Sequence, residues 1–321
     1  MERLRFTSSG TEAVMSALRV ARAATGRDLV VKFAGAYHGH SDGLLVDAGS
    51  GLATQAIAGS AGVPDAVAAT AIVLPFNDAT AVTLAFSQRP GRIAAVVLEP
   101  VIANAGVIAP EPGFLEGLRE LTRADGALLV FDEVITGFRV GPGGAQARFG
   151  IRPDLTTLGK IIGGGMPIGA YGGRVDLMEL VAPAGPVYQA GTLSGHPLSM
   201  AAGIATLALL RPERYVALEA AAAELAEGLA AAAAAAGRAV AVARLGPLLT
   251  VFFRSTLPLD AAEALASDRD AYARFFGSML DQGILLPPSQ FETWFLSMAH
   301  EPADIAATVA AARVAFEERS A

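Results

Sequence analysis

Residues 127–139, ALLVFDEVITGFR, and residues 156–173, TTLGKIIGGGMPIGAYGG, decide how this chain folds. The first is an apolar run ending on Asp132 and Glu133, the texture of a buried strand whose carboxyl end presents an acid. The second carries Lys160 just ahead of Gly163, Gly164 and Gly165, an amine where the backbone must pass close to a ligand. Together they predict one buried acid and one buried amine at the edge of a sheet.

Outward from this core, short apolar strands alternate with helical patterns. Residues 29–35 (LVVKFAG), 70–76 (TAIVLPF), 93–100 (IAAVVLEP) and 127–134 (ALLVFDEV) read as strands. Between the last two, Phe114, Leu115, Leu118 and Leu121 fall at helical spacing, with Gly126 as a C-cap. Strands apolar on both faces and separated by helices imply an α/β fold with a mostly parallel sheet covered on both sides. Ligands in such folds sit beyond the carboxyl ends of the strands, where Glu99 and Asp132 fall. Near Arg211 and Pro212 the texture changes to an alanine-rich run, 215–237, which reads as a long helix because alanine has the highest helix propensity. We therefore expect a large domain over 1–212 and a smaller C-terminal α/β domain over 213–321, completed by strands at 248–254 and 293–299.

Composition narrows the function classes. At 321 residues and 53% apolar content the chain can bury a large core. A formal net charge of −7 with mixed signs gives no reason to expect nucleic acid or an anionic membrane as partner. The absence of cysteine excludes disulfides, thiolate zinc sites and a cysteine nucleophile. The start, MERLRFTSSGTEA, lacks the apolar core of a signal peptide, so a soluble, cytoplasmic protein is the expectation.

In FTSSGTEAVMSALRVARAATG (6–26), Ser8, Ser9, Gly10 and Thr11 precede a helical pattern. Free amides at a helix start make an anion site, although an ordinary N-cap with Glu12 in the first turn explains the same residues. Tyr37 and His38 follow a strand directly, and an aromatic there can stack on a flat ring. With four histidines in the chain and no third ligand near His38 and His40, a metal site is not expected. A P-loop fails on spacing, because Asp154 stands where the first glycine belongs and Ile161 follows the lysine. A Glu99–Asp132 pair for sugar hydrolysis leaves Lys160 without a role. An acid, an amine and an anion cradle together suit pyridoxal 5′-phosphate, which bonds a lysine and wants an acid at its pyridine nitrogen.

These residues, with EPVIANAGV (99–107), GPVYQAGTLSGHPLSMAAG (185–203) and LLPPSQFETWFLSMAH (285–300), resemble the class III aminotransferases of the fold-type I pyridoxal-phosphate superfamily. Within that class they are most similar to the glutamate-1-semialdehyde 2,1-aminomutases. The resemblance implies that Lys160 is the Schiff-base lysine and that Asp132 is the pyridine-nitrogen partner. It implies that Gly10 and Thr11 hold the phosphate, that Tyr37 stacks on the ring, and that Val134 packs against the ring face. Asn104 matches an asparagine near the cofactor hydroxyl, and Glu292 a glutamate near the substrate pocket. Thr192 matches a threonine reaching the neighbouring subunit's phosphate, so a homodimer with shared sites is expected.

The activity so implied turns a small amino substrate into 5-aminolevulinate, a tetrapyrrole precursor, with pyridoxamine 5′-phosphate as the cycle form and no external amine donor. Two alternatives are a class III aminotransferase acting on a β-amino acid or an amine, and a truncated dimer that binds cofactor without turnover. The last follows from the expectation that a family segment before SSGTEA is missing. A second departure from the aminomutases is His196, where they usually carry asparagine.

Overall fold

A computed structural model describes residues 1–46 and 60–318. Seven strands form the main sheet: β1 (Arg3–Thr7), β2 (Leu29–Phe33), β3 (Ala71–Leu74), β4 (Ile93–Leu98), β5 (Leu128–Asp132), β6 (Leu155–Gly159) and β7 (Gly169–Gly173). Their order is β1-β7-β6-β5-β4-β2-β3. The block from β3 to β6 is parallel, while β7 runs antiparallel to both β6 and β1. Two reversals restore direction, so β1 points the same way as the parallel block. The carboxyl ends of β1, β2, β4, β5 and β6 therefore share one edge of the sheet.

The expected mostly parallel sheet is thus present, with an antiparallel flank that glycines hide from sequence patterning. Strand β7 is GAYGG, whose five residues are all buried. A Cβ on Gly169 would stand 2.0 Å from the Ser9 carbonyl oxygen, and one on Gly173 would stand 2.0 Å from that of Asp154. Close backbone approach, not side-chain hydrophobicity, selects this strand. By contrast, β4 and β5 are buried throughout, as their unbroken apolar runs predict.

Helices cover both faces. The helix Gly10–Thr25 buries Ala13, Val14, Ala17, Leu18 and Ala21 against a cluster with Val97, Val130 and Tyr171. On the other face, Phe114 of the helix Phe114–Asp125, Phe33 and Phe76 meet one another edge-on, with ring centroids 5.0–5.6 Å apart. Each such pair contributes about 0.5–1.5 kcal/mol beyond its buried area.

A three-stranded antiparallel sheet follows, from β8 (Ala241–Leu245), β9 (Leu248–Phe252) and β10 (Trp294–Phe295). The alanine-rich run is one helix, Pro212–Ala235, packed on the terminal helix Pro302–Glu317. The expected strand at 293–299 shortens to two residues, because Ser297 and His300 close a turn through the Ser297 N–H and His300 Nδ1 at 3.1 Å. The Leu248 and Phe252 side chains join the core of the main sheet, whereas Leu249 and Val251 face the C-terminal helices. One strand thereby braces two clusters, as period-two alternation allows.

Candidate active site

A cavity of about 440 Å³ opens at the carboxyl edge of the main sheet. Strand β1 leads through Ser8 and Ser9 into the helix Gly10–Thr25, with Ser9 as N-cap accepting from the Glu12 N–H at 3.2 Å. The N–H groups of Gly10 and Thr11 begin that helix and have no intrahelical acceptor, so they remain donors toward the cavity. The glycine at 39 is required, since its φ is +85° and a Cβ would stand 2.6 Å from the Thr11 Cα. That close approach sets the Tyr37–His40 loop against the helix start, and Thr11 Oγ1 lies 3.3 Å from His40 Nδ1.

Asp132 ends β5 and is 4% exposed. Its Oδ1 accepts from Thr157 Oγ1 at 3.0 Å and from the Val134 N–H at 3.1 Å. Its Oδ2 lies 2.8 Å from His38 Nδ1, and His38 is fully buried, its Nε2 without a partner among the described residues. A carboxylate so held has one aim and cannot swing. Glu133, next in sequence, turns away from the cavity. It accepts from Thr136 Oγ1, from the Ala145 and Gln146 N–H groups and from Gln146 Nε2, which ties the chain after β5 to the start of the helix Gly144–Phe149.

Lys160 follows β6 in a single 3₁₀ turn with φ +44°, a left-handed conformation that costs a lysine free energy. The expectation of a buried acid and a buried amine holds for Asp132 alone. Lys160 stands open to the cavity, in its wall beside Gly165 and Met166. Glu99 directly follows β4 and lines the same cavity. Burial pushes its carboxyl above the usual range, and nearby Asp132 adds to this while His38 works against it.

Of the residues singled out from the sequence, Gly10, Thr11, Tyr37, Asn104, Asp132, Val134 and Lys160 all line this cavity. Thr192 does not. It lies exposed in the turn before the helix Pro197–Leu209, where Gly191 approaches Ser8. Glu292 lies outside the lining as well, half-buried on a segment stitched to the Asn104 loop. The Phe291 carbonyl accepts from the Gly106 N–H at 2.7 Å, and Thr293 Oγ1 donates to the Ala103 carbonyl at 2.9 Å. His196 caps the helix Pro197–Leu209, its Nδ1 accepting from the Leu198 N–H at 3.3 Å. An imidazole here does the work of a short polar N-cap.

The chain matches the class-III aminotransferase family over residues 1–294. It belongs to that family. Class-III relatives include a glutamate-1-semialdehyde 2,1-aminomutase of Thermomicrobium roseum, 60% identical over 99% of this chain and 74% of the relative's length. One of Anaeromyxobacter dehalogenans is 55% identical over 99% of this chain and 74% of its own. Among solved structures, an omega-transaminase from Sphaerobacter thermophilus superposes with TM-score 0.91 at 34% identity, covering 99% of this chain and 74% of that one. A glutamate-1-semialdehyde aminomutase from Pseudomonas aeruginosa in complex with PMP gives 0.85 at 29% identity, covering 98% and 71%.

His38 is packed and hydrogen-bonded, as its residue type and position suggest, but the sequence does not show that its partner is Asp132 or that Glu99 holds its neighbours. The signal for His38 was its place next to Tyr37 at a strand end. Nothing in the linear sequence pairs it with an acid ninety-four positions away.

Proposed function

We propose that this class-III protein is a pyridoxal-phosphate-dependent glutamate-1-semialdehyde 2,1-aminomutase, forming 5-aminolevulinate. The observation that carries the reading is the convergence of Asp132, Lys160 and the Gly10–Thr11 helix start in one cavity, in a chain 60% identical to a relative of that name.

The donor set fits the cofactor. Main-chain N–H groups at a helix start take a phosphate, and a buried, oriented carboxylate takes a ring N–H. The bound group supplies an electron-accepting ring and an aldehyde that bonds amines. Within the cavity, the Gly10 and Thr11 amides bind the phosphate. Asp132, held by His38 and Thr157, keeps the proton on the ring nitrogen. Tyr37 and Val134 would enclose the ring, and Asn104 would meet its hydroxyl, as all three line the cavity. Lys160 would hold the cofactor through its amine and, once substrate has displaced it, would take up and return the proton at the substrate carbon. Its position on the cavity wall supports that shuttle, since a general base needs reach as well as basicity. Glu292 serves the substrate side from the segment tied to the Asn104 loop.

Thr192 is assigned to the phosphate of a second subunit, in a homodimer. Its exposure supports this, as does the helix Pro197–Leu209, which leaves Leu198, Ile204 and Leu209 exposed at 62%, 71% and 56%. We assign residues 1–212 and 213–321 to two domains, supported by their separate sheets. A cytoplasmic setting accords with the cysteine-free sequence; no helix among the described residues is long and apolar enough to cross a membrane.

A transaminase working on an amine or a β-amino acid is the second reading, favoured by the superposition with the omega-transaminase. Purified protein mixed with pyridoxal phosphate and reduced with borohydride tests the cofactor assignment. Permanent attachment at Lys160, absent in Lys160→Ala, supports it. No attachment in the wild type overturns it.

A further inference from the structure

Glu99 is buried, 3% exposed, and has no role in the scheme above. Its carboxylate nevertheless joins two loops that border the cavity from different strands. Oε1 accepts from the Tyr37 N–H at 2.8 Å, and Oε2 from the Ala103 N–H at 3.0 Å. Asn104 Nδ2 reaches both oxygens at 3.0 Å. Both oxygens are thus committed to donors on the segments that carry the aromatic and the amide assigned to the cofactor.

Hydrogen bonds only offset the cost of burying a carboxylate, and an apolar side chain would fill the same space without it. The raised protonation equilibrium of Glu99 records that cost. What an apolar residue could not do is hold the Tyr37 backbone and turn the Asn104 amide at once. Asn104 with its amide nitrogen on Glu99 has one orientation rather than two.

Building on the pyridoxal-phosphate reading, we propose that Glu99 is a positioning residue of the cofactor site. Through the Tyr37 N–H and the Asn104 amide it fixes the two groups that meet the cofactor from the β2 and β4 loops. The site is then ordered before the cofactor enters, and binding does not have to order it.

Glu99→Gln keeps the shape but replaces one acceptor oxygen by an amide that faces N–H donors. The test measures pyridoxal-phosphate affinity and the pH midpoint of the bound cofactor's visible band. The proteins compared are wild type, Glu99→Gln, Asn104→Ala and the double variant. Glu99→Gln is expected to weaken binding about tenfold and to shift the midpoint. The double variant should bind about as weakly as the weaker single, because the two residues act as one unit. Wild-type affinity and midpoint in Glu99→Gln overturn the proposal, as do losses that simply multiply in the double variant. If Glu99→Gln does not fold, by circular dichroism, Glu99→Asp carries the same cycle with the same expected direction. A wild type that takes up no cofactor overturns the pyridoxal-phosphate reading and this role with it, whereas a wild type that binds the cofactor with Glu99→Gln binding it equally well overturns only the role.

Discussion

His38 Nδ1 and Asp132 Oδ2 lie 2.8 Å apart, with both side chains closed off from solvent. The pair joins the loop after β2 to the end of β5 across β4. Truncating one partner leaves the other short of a hydrogen bond in a place water does not reach. We predict that His38→Ala lowers stability by about 1–3 kcal/mol and weakens cofactor binding in the same protein. Denaturant unfolding and a cofactor titration check both effects. A variant as stable as wild type with unchanged affinity would show that the pair is incidental.

Glu99 carries a pH signature. The folded carboxyl binds its proton more tightly than the ordinary value of 4.5, first because of burial and then because Asp132 faces it, although His38 opposes the shift. Between 4.5 and the folded value, the native state holds a proton that the unfolded chain has lost. Stability from this group is therefore complete below 4.5 and declines as pH rises through the folded value. Glu99→Gln lacks the titration. Wild type should lose stability relative to Glu99→Gln as pH climbs from 4.5 toward neutrality; parallel melting curves across that range would contradict the assignment.

Gly39 meets Thr11 too closely for any side chain, a Cβ falling 2.6 Å from the Thr11 Cα at a φ of +85°. Gly39→Ala should cost about 1–3 kcal/mol and displace the Tyr37 loop from the helix start. The expected readouts are a lower melting temperature and weaker phosphate-dependent cofactor uptake. Unchanged values for both would mean that the loop relaxes without cost.

How much of this was legible beforehand divides by cause. The β4 and β5 strands announce themselves as unbroken apolar runs, and the helix Phe114–Asp125 ends on Gly126 in the expected left-handed C-cap. Strand β7 was illegible because glycines chosen for backbone approach carry no hydropathy pattern. At the site, Asp132 and Lys160 were readable from the texture of their own segments. The hydrogen-bond partners of His38 and Glu99 were not, since those bonds run across sheet order, which sequence distance does not encode.

The helix Pro197–Leu209 offers an apolar face, with Ile204 71% exposed. Placing a charge there opposes burial against a second copy. In sedimentation velocity, Ile204→Asp should sediment as a folded monomer where the wild type forms the proposed dimer. A wild type that sediments as a monomer at all concentrations would remove the shared-site assignment of Thr192.

The most direct test supplies the cofactor-loaded protein with glutamate-1-semialdehyde and no amine donor, then assays 5-aminolevulinate. The account predicts product without a donor and its loss by a factor on the order of 10² or more in Lys160→Ala. Product that appears only when a separate amine is added would contradict it.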